Sequence, residues 1–123
     1  MTVQISQAAA RDIRSILGET LKTFGTYQFG IYQAILNRAI GLVAEAPERP
    51  SSIARSDIAR NVRSFHLQLS AGKAGGAAHC LYYISARLPD GSTRTIILRV
   101  LHEHMEPRYK VVRSLKEFRT DEG

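Results

Sequence analysis

His102, Glu103 and His104 stand side by side near the C-terminal end, setting two imidazoles around a carboxylate. Arg63, Arg99, Arg108 and Tyr109 can join them. These are the residue types that cut RNA without a metal. An imidazole can take the proton of a ribose 2′-hydroxyl, a second can protonate the leaving oxygen, and guanidinium groups can stabilise a phosphorane-like transition state. An aromatic ring can stack on a base. If the chain is a nuclease, Arg63, Arg99, His102 and His104 carry the reaction. Arg63 opens one strand pattern and Arg99 sits near the end of another, so a shared sheet edge is expected for them.

Other chemistries fit less well. His102 and His104, two residues apart, share one face of an extended segment, yet a third metal ligand is not obvious. His79 and Cys80 are neighbours and point to opposite faces of their strand. No metal and no cofactor is therefore expected. Cys80, among Leu81, Tyr82 and Ile84, reads as a small core residue, and His66 as a solvated one. Tyr82 and Tyr83 point to opposite faces, so one should be buried and the other free for a partner. Arg99 lies among Leu98, Val100 and Leu101, where a cation needs a paired carboxylate or an exposed strand end. Ala71 to Ala78 holds three glycines but lacks the G-x-x-x-x-G-K-[ST] spacing of a phosphate loop, and reads as a flexible hairpin loop.

The elements that position these residues can be read from periodicity. Val3 and Ile5 alternate with Thr2 and Gln4 as a short strand. Ser6 is placed to cap a helix whose stripe is Ala10, Ile13, Leu17, Leu21 and Phe24. Gly25 ends that helix and Thr26 opens a second, apolar on more than one side, which Pro47 and Pro50 stop. Residues 47–61 read as a loop with one helical turn at most. Phe65, Leu67 and Leu69 alternate with polar residues as a half-buried strand. Cys80–Leu88 and Thr93–Leu101 read as inner strands joined by the Pro89-Asp90-Gly91-Ser92 turn, and Ile96-Ile97-Leu98 implies cover on both faces. Tyr109–Val112 reads as an edge strand, Ser114–Phe118 as one helical turn, and residues 119–123 as a fraying end. The sum is a single α+β domain over 1–123, in the order β-α-α-β-β-β. An N-terminal strand and a helical hairpin pack on an antiparallel β-sheet, and about 110–123 form a partly flexible C-terminal extension.

Length and composition agree. The chain has 123 residues, 44% of them hydrophobic and 23% charged, which is globular and too short for two ordinary domains. No apolar run approaches a membrane span, no signal-peptide pattern opens the chain, and one cysteine excludes an internal disulfide, so a cytoplasmic location is expected. The net charge of +6 is uneven: residues 1–49 carry +1 and residues 50–119 carry +7. The second half is thus the expected face for an anionic partner.

Arg63-Ser64-Phe65, Leu81-Tyr82-Tyr83 and the run Ile97-Leu98-Arg99-Val100-Leu101-His102, followed by Met105-Glu106-Pro107, resemble the ParE/RelE toxin superfamily of type II toxin–antitoxin systems. The early helix with Ala9, Asp12 and Ile13 and the Glu45-Ala46-Pro47 helix end match in kind, and the series is closer to ParE. The resemblance spans Val3 to about Pro107. It implies a RelE/ParE-like fold and a cytoplasmic toxin that limits growth and stabilises plasmids, neutralised by a ParD-like antitoxin. ParE members act on DNA gyrase, whereas RelE members cut messenger RNA on the ribosome. The ParE branch implies a binding-type toxin without catalytic machinery and without sequence-specific DNA binding of its own. Its expected target-facing surface is Arg63, Arg99, His102, His104, Arg108, Lys110 and Arg113. An apolar groove at Tyr32, Leu36 and Val43 is expected to take the antitoxin's amphipathic helix.

Overall fold

A computed structural model describes residues 2–72 and 76–122, with side chains to residue 119. Strand β1 (Thr2–Ile5) leads into helix α1 (Gln7–Phe24), whose first turn is capped by Ser6: its hydroxyl accepts from the amide of Ala9 at 3.1 Å. Gly25, at φ 90°, makes the tight corner into α2 (Thr26–Glu45). That dihedral is one a side chain rarely tolerates. The two helices lie against each other and against the sheet, whose strands are β2 (Ile53–Ala54), β3 (Arg63–His66), β4 (His79–Arg87) and β5 (Thr93–His102). Two further helices are α3 (Gln68–Ala71) and α4 (Arg108–Glu122). The class is α+β, and no helix among the described residues is long and apolar enough to cross a membrane.

The sheet order is β1-β5-β4-β3-β2. Neighbours β2 to β5 are antiparallel, but β1 runs parallel to β5. The sheet is therefore mixed, where an antiparallel one was expected. Short turns force antiparallel pairing only on strands they join, and the helical hairpin carries the chain from β1 to the far side of the sheet before β2 begins. The turn before β5 forms as expected, with Gly91 at φ 88°.

Four local expectations need correction, the first being that residues 47–61, read as a loop, hold β2, which pairs with β3. The strand through Phe65 stops at His66, and Gln68–Ala71 coil into α3, leaving Leu69 54% exposed while Leu67 stays buried. Residues 73–75 of the glycine-rich loop lie outside the described ones. The supposed edge strand at Tyr109–Val112 is instead the first turn of α4, which continues to Glu122 where a fray was expected. Val111, Leu115 and Phe118, at helical spacing, bury one stripe of it.

That helix explains the two-sided apolar strands. One core lies between the hairpin and the sheet, around Leu36, Val43, Phe65, Leu81, Tyr83 and Ile97. A second lies between the other face and α4, around Tyr82, Ile96, Leu98, Leu101, Val111 and Leu115. Tyr82 and Tyr83 do face opposite ways, yet both are buried, because α4 covers the face that was expected to be free. Tyr83 closes one end of the hairpin core by donating its hydroxyl to the Pro47 carbonyl at 2.6 Å.

Candidate binding groove and histidine cluster

The sheet edge at β5 is only half covered. β1 pairs with residues 94–97 and stops, while β5 continues to His102. Past that point α1 supplies what a strand would. The Ser6 amide donates to the Ile97 carbonyl at 3.1 Å, and the Ser6 hydroxyl donates to the Leu98 carbonyl at 3.0 Å. The amide of Val100 donates to Asp12 Oδ2 at 2.9 Å. Here β5 also carries an extra residue: Tyr82 pairs with Arg99 but Tyr83 with Ile97, a bulge at Leu98 that re-aims the last residues of the strand. Arg99 reaches Asp12 with two parallel bonds, Nε to Oδ2 at 2.7 Å and Nη2 to Oδ1 at 2.9 Å. The carboxylate required for a cation among apolar neighbours is thus present.

Helices α1 and α4 flank this edge and leave a groove between them. At one end a cleft of about 490 Å³ is walled by Ile16, Phe24, Arg99, Val100, His102, Met105 and Lys110, among others. Next to it a smaller polar cleft of about 250 Å³ is lined by Arg11, Arg99, Arg113 and Glu117. Arg99 lines both, and a third cleft shares Arg11 and Glu117 with the second.

All four histidines of the chain converge near the ends of β3, β4 and β5. His79 and His102 are cross-strand partners with ring centroids 5.4 Å apart, and His104 stacks 5.2 Å from His102. Tyr32 meets Nδ1 of His79 at 2.6 Å while the Ala78 amide donates to the same hydroxyl, which directs the phenol proton at Nδ1. Burial, with His102 alongside, pulls His79 down from 6.5 to about 4, so it is neutral at pH 7. Burial likewise raises the Tyr32 phenol and the Cys80 thiol. His66 accepts the Gln68 amide on Nδ1 and donates from Nε2 to Glu103 at 2.6 Å, which holds that carboxyl below its ordinary range. His102 accepts the His104 amide on Nδ1 at 3.2 Å.

These bonds restrict the chemistry. A general base needs a free ring lone pair aimed at its proton. In His66, His79 and His102 the Nδ1 lone pair is already engaged, so in each neutral ring the Nε2 carries the proton. Only His104 keeps a lone pair open, and its side chain is 83% exposed, with Glu103 at 3.7 Å.

The structure gathers part of the expected target-facing set. Arg99, His102 and Lys110 line one cleft, Arg113 lines the next with Arg99, and His104 stacks on His102 at the cleft end. Arg63 is elsewhere, so the expected shared edge with Arg99 does not form. Its register partner is Tyr83 on the hairpin face, and its guanidinium holds the Ser52 hydroxyl at 3.0 and 2.8 Å. Arg108 pairs with Glu106 and lies near Arg55 and Asp57. The antitoxin groove expected on α2 is filled by the sheet itself: Leu36 is 1% exposed, Val43 is fully buried, and Tyr32 is half-buried against His79. Residues that sequence reasoning passes over complete the groove: Arg11, Phe24 and Met105. Phe24 belongs by spacing to the core stripe of α1, yet at the helix corner it is 69% exposed.

Comparison with protein-family models and with curated proteins finds no match to this chain.

Proposed function

We propose that this chain is a ParE-like toxin of a type II toxin–antitoxin system, with the RelE/ParE-like fold, acting in the cytoplasm by binding DNA gyrase. The observation that carries this reading is the lateral assembly of the three resembling blocks. Phe65 pairs with Leu81 and Leu81 with Val100; Ser64 pairs with Tyr82 and Tyr82 with Arg99. Segments far apart in sequence are thus neighbours on three adjacent strands, and they hold Arg99 and His102 at the groove.

A binding role without catalysis is favoured by the histidine geometry. Three of the four imidazoles have their Nδ1 lone pair occupied, and Arg63 does not join Arg99, His102 and His104. The target-facing surface is accordingly Arg99, His102, His104, Lys110 and Arg113. A ParD-like antitoxin neutralises the toxin by docking away from the buried face of α2. The test is supercoiling by purified gyrase in the presence of the purified chain, together with growth on induction. Supercoiling is expected to fall and growth to stop, with relief when the antitoxin is co-expressed. Normal supercoiling at large excess, or mapped messenger cleavage lost in His102→Ala, overturns the reading.

A further inference from the structure

The groove between α1 and α4 changes character along its length. At its centre three guanidinium groups, Arg11, Arg99 and Arg113, face one small polar cleft. Two carboxylates answer them: Asp12 on Arg99, and Glu117, which meets Arg113 at 3.4 Å. Among the described residues Arg11 has no acidic partner, so one positive charge is left over, the charge that a single carboxylate or phosphodiester neutralises. The adjoining cleft is mainly apolar, and two of its walls, Phe24 and Met105, are 69% and 42% exposed. An apolar cleft beside the cationic one favours protein over nucleic acid, because a peptide can offer a carboxylate and a large apolar side chain together.

We infer that this groove docks an extended segment of a partner protein, seating an Asp or Glu on Arg11 and Arg113 and a large apolar side chain between Phe24 and Met105. The spacing is set by α1. From Arg11 to Phe24 is about 20 Å at roughly 1.5 Å per helical residue. An extended chain covers that in about six residues at roughly 3.3 Å each. The inference rests on reading the groove as a binding face, and not on gyrase being the protein bound.

The probes are two fluorescein-labelled peptides, Phe-Ser-Ser-Ser-Ser-Ser-Asp and its reverse, each with neutral serine flanks, against the full chain labelled with nitrogen-15. At least one order is expected to bind at millimolar concentration or better, shifting the amides of Arg11, Arg99, Val100 and Met105. Replacing the peptide's Asp by Asn, or introducing Arg11→Ala with Arg113→Ala into the protein, should weaken binding about tenfold, the loss of one charge-assisted contact. Both arginines are exposed, so the variant should keep the circular dichroism of the parent. No binding by either peptide, shifts confined to another surface, or an Asn peptide that binds equally overturns the inference. So does tighter binding of decathymidylate in the same groove, which would make the occupant a nucleic acid. Supercoiling measured on the same samples reports on gyrase alone: peptide binding stands whatever that result, and gyrase inhibition without peptide binding removes only the groove assignment.

Discussion

Asp12→Ala should be among the most damaging single changes on the groove side of the molecule. The carboxylate accepts three hydrogen bonds, two from Arg99 at 2.7 and 2.9 Å and one from the Val100 amide at 2.9 Å. Hydrogen bonds to charged groups contribute about 1.5–3 kcal/mol each, and breaking a fully buried pair by removing one partner costs about 3–5 kcal/mol. The pair is 14% exposed at Asp12 and 20% at Arg99, so the guanidinium can recover some hydration. That brings the expected loss to about 3 kcal/mol, or roughly 10 °C in Tm for a domain of this size. Asp12→Asn keeps an acceptor for Val100 and gives up the charge, so about half that loss is expected. In Asp12→Ala with Arg99→Met no cation is left unpaired, and the double variant should be more stable than the two single losses added together by at least about 1 kcal/mol. Urea unfolding followed by circular dichroism measures the parent, the single variants Asp12→Ala, Asp12→Asn and Arg99→Met, and the double variant. A loss below about 1 kcal/mol for Asp12→Ala, or strict additivity in the cycle, refutes the assignment of Asp12 as the clamp that replaces β1.

Two further outcomes are expected. His79 titrates at about 4 when folded and near 6.5 when unfolded, so between those values the unfolded chain binds more protons and stability falls as pH drops through that window. His79→Gln should flatten the decline in unfolding free energy between about pH 6.5 and 4, and an unchanged slope would assign the effect to other groups. Leu115 is 4% exposed in the core under α4. Leu115→Ala should cost about 2–4 kcal/mol in urea unfolding, and a change below about 1 kcal/mol would mean that α4 is not a structural cover.

Much of the fold is legible because local chemistry and burial agree. Ser6 caps α1, Gly25 turns the corner and Gly91 turns before β5, as their residue types require. Ile96-Ile97-Leu98 implies a strand covered on both faces, and both covers exist. The second cover is hard to read because Tyr109-Lys110-Val111-Val112 alternates too briefly to exclude a strand, while the stripe at Val111, Leu115 and Phe118 requires a longer window. Leu67 and Leu69 mislead for the opposite reason, since the two-residue alternation continues in the sequence after the backbone has coiled into α3. The Asp12–Arg99 pair is legible only as a need, because its partners lie 87 residues apart and no short-range pattern joins them. The histidine cluster is hidden for the same reason, with His66 and Glu103 meeting across 37 residues.

The groove has a simple origin in strand length. β5 has ten residues and β1 only four, so the sheet edge outlasts the strand that covers it. An exposed edge normally invites uncontrolled pairing, and charge at the edge is a common remedy. Here the first turns of α1 supply that charge: Ser6 takes the two carbonyls next to β1, and Asp12 takes the following amide while fixing Arg99. The same carboxylate that protects the edge therefore positions a guanidinium at the junction of the polar and apolar clefts. Protection and recognition are coupled at this site, so loss of Asp12 should weaken groove binding even at temperatures where the variant remains folded. Arg11→Ala, which touches no edge hydrogen bond, should weaken binding with Tm unchanged.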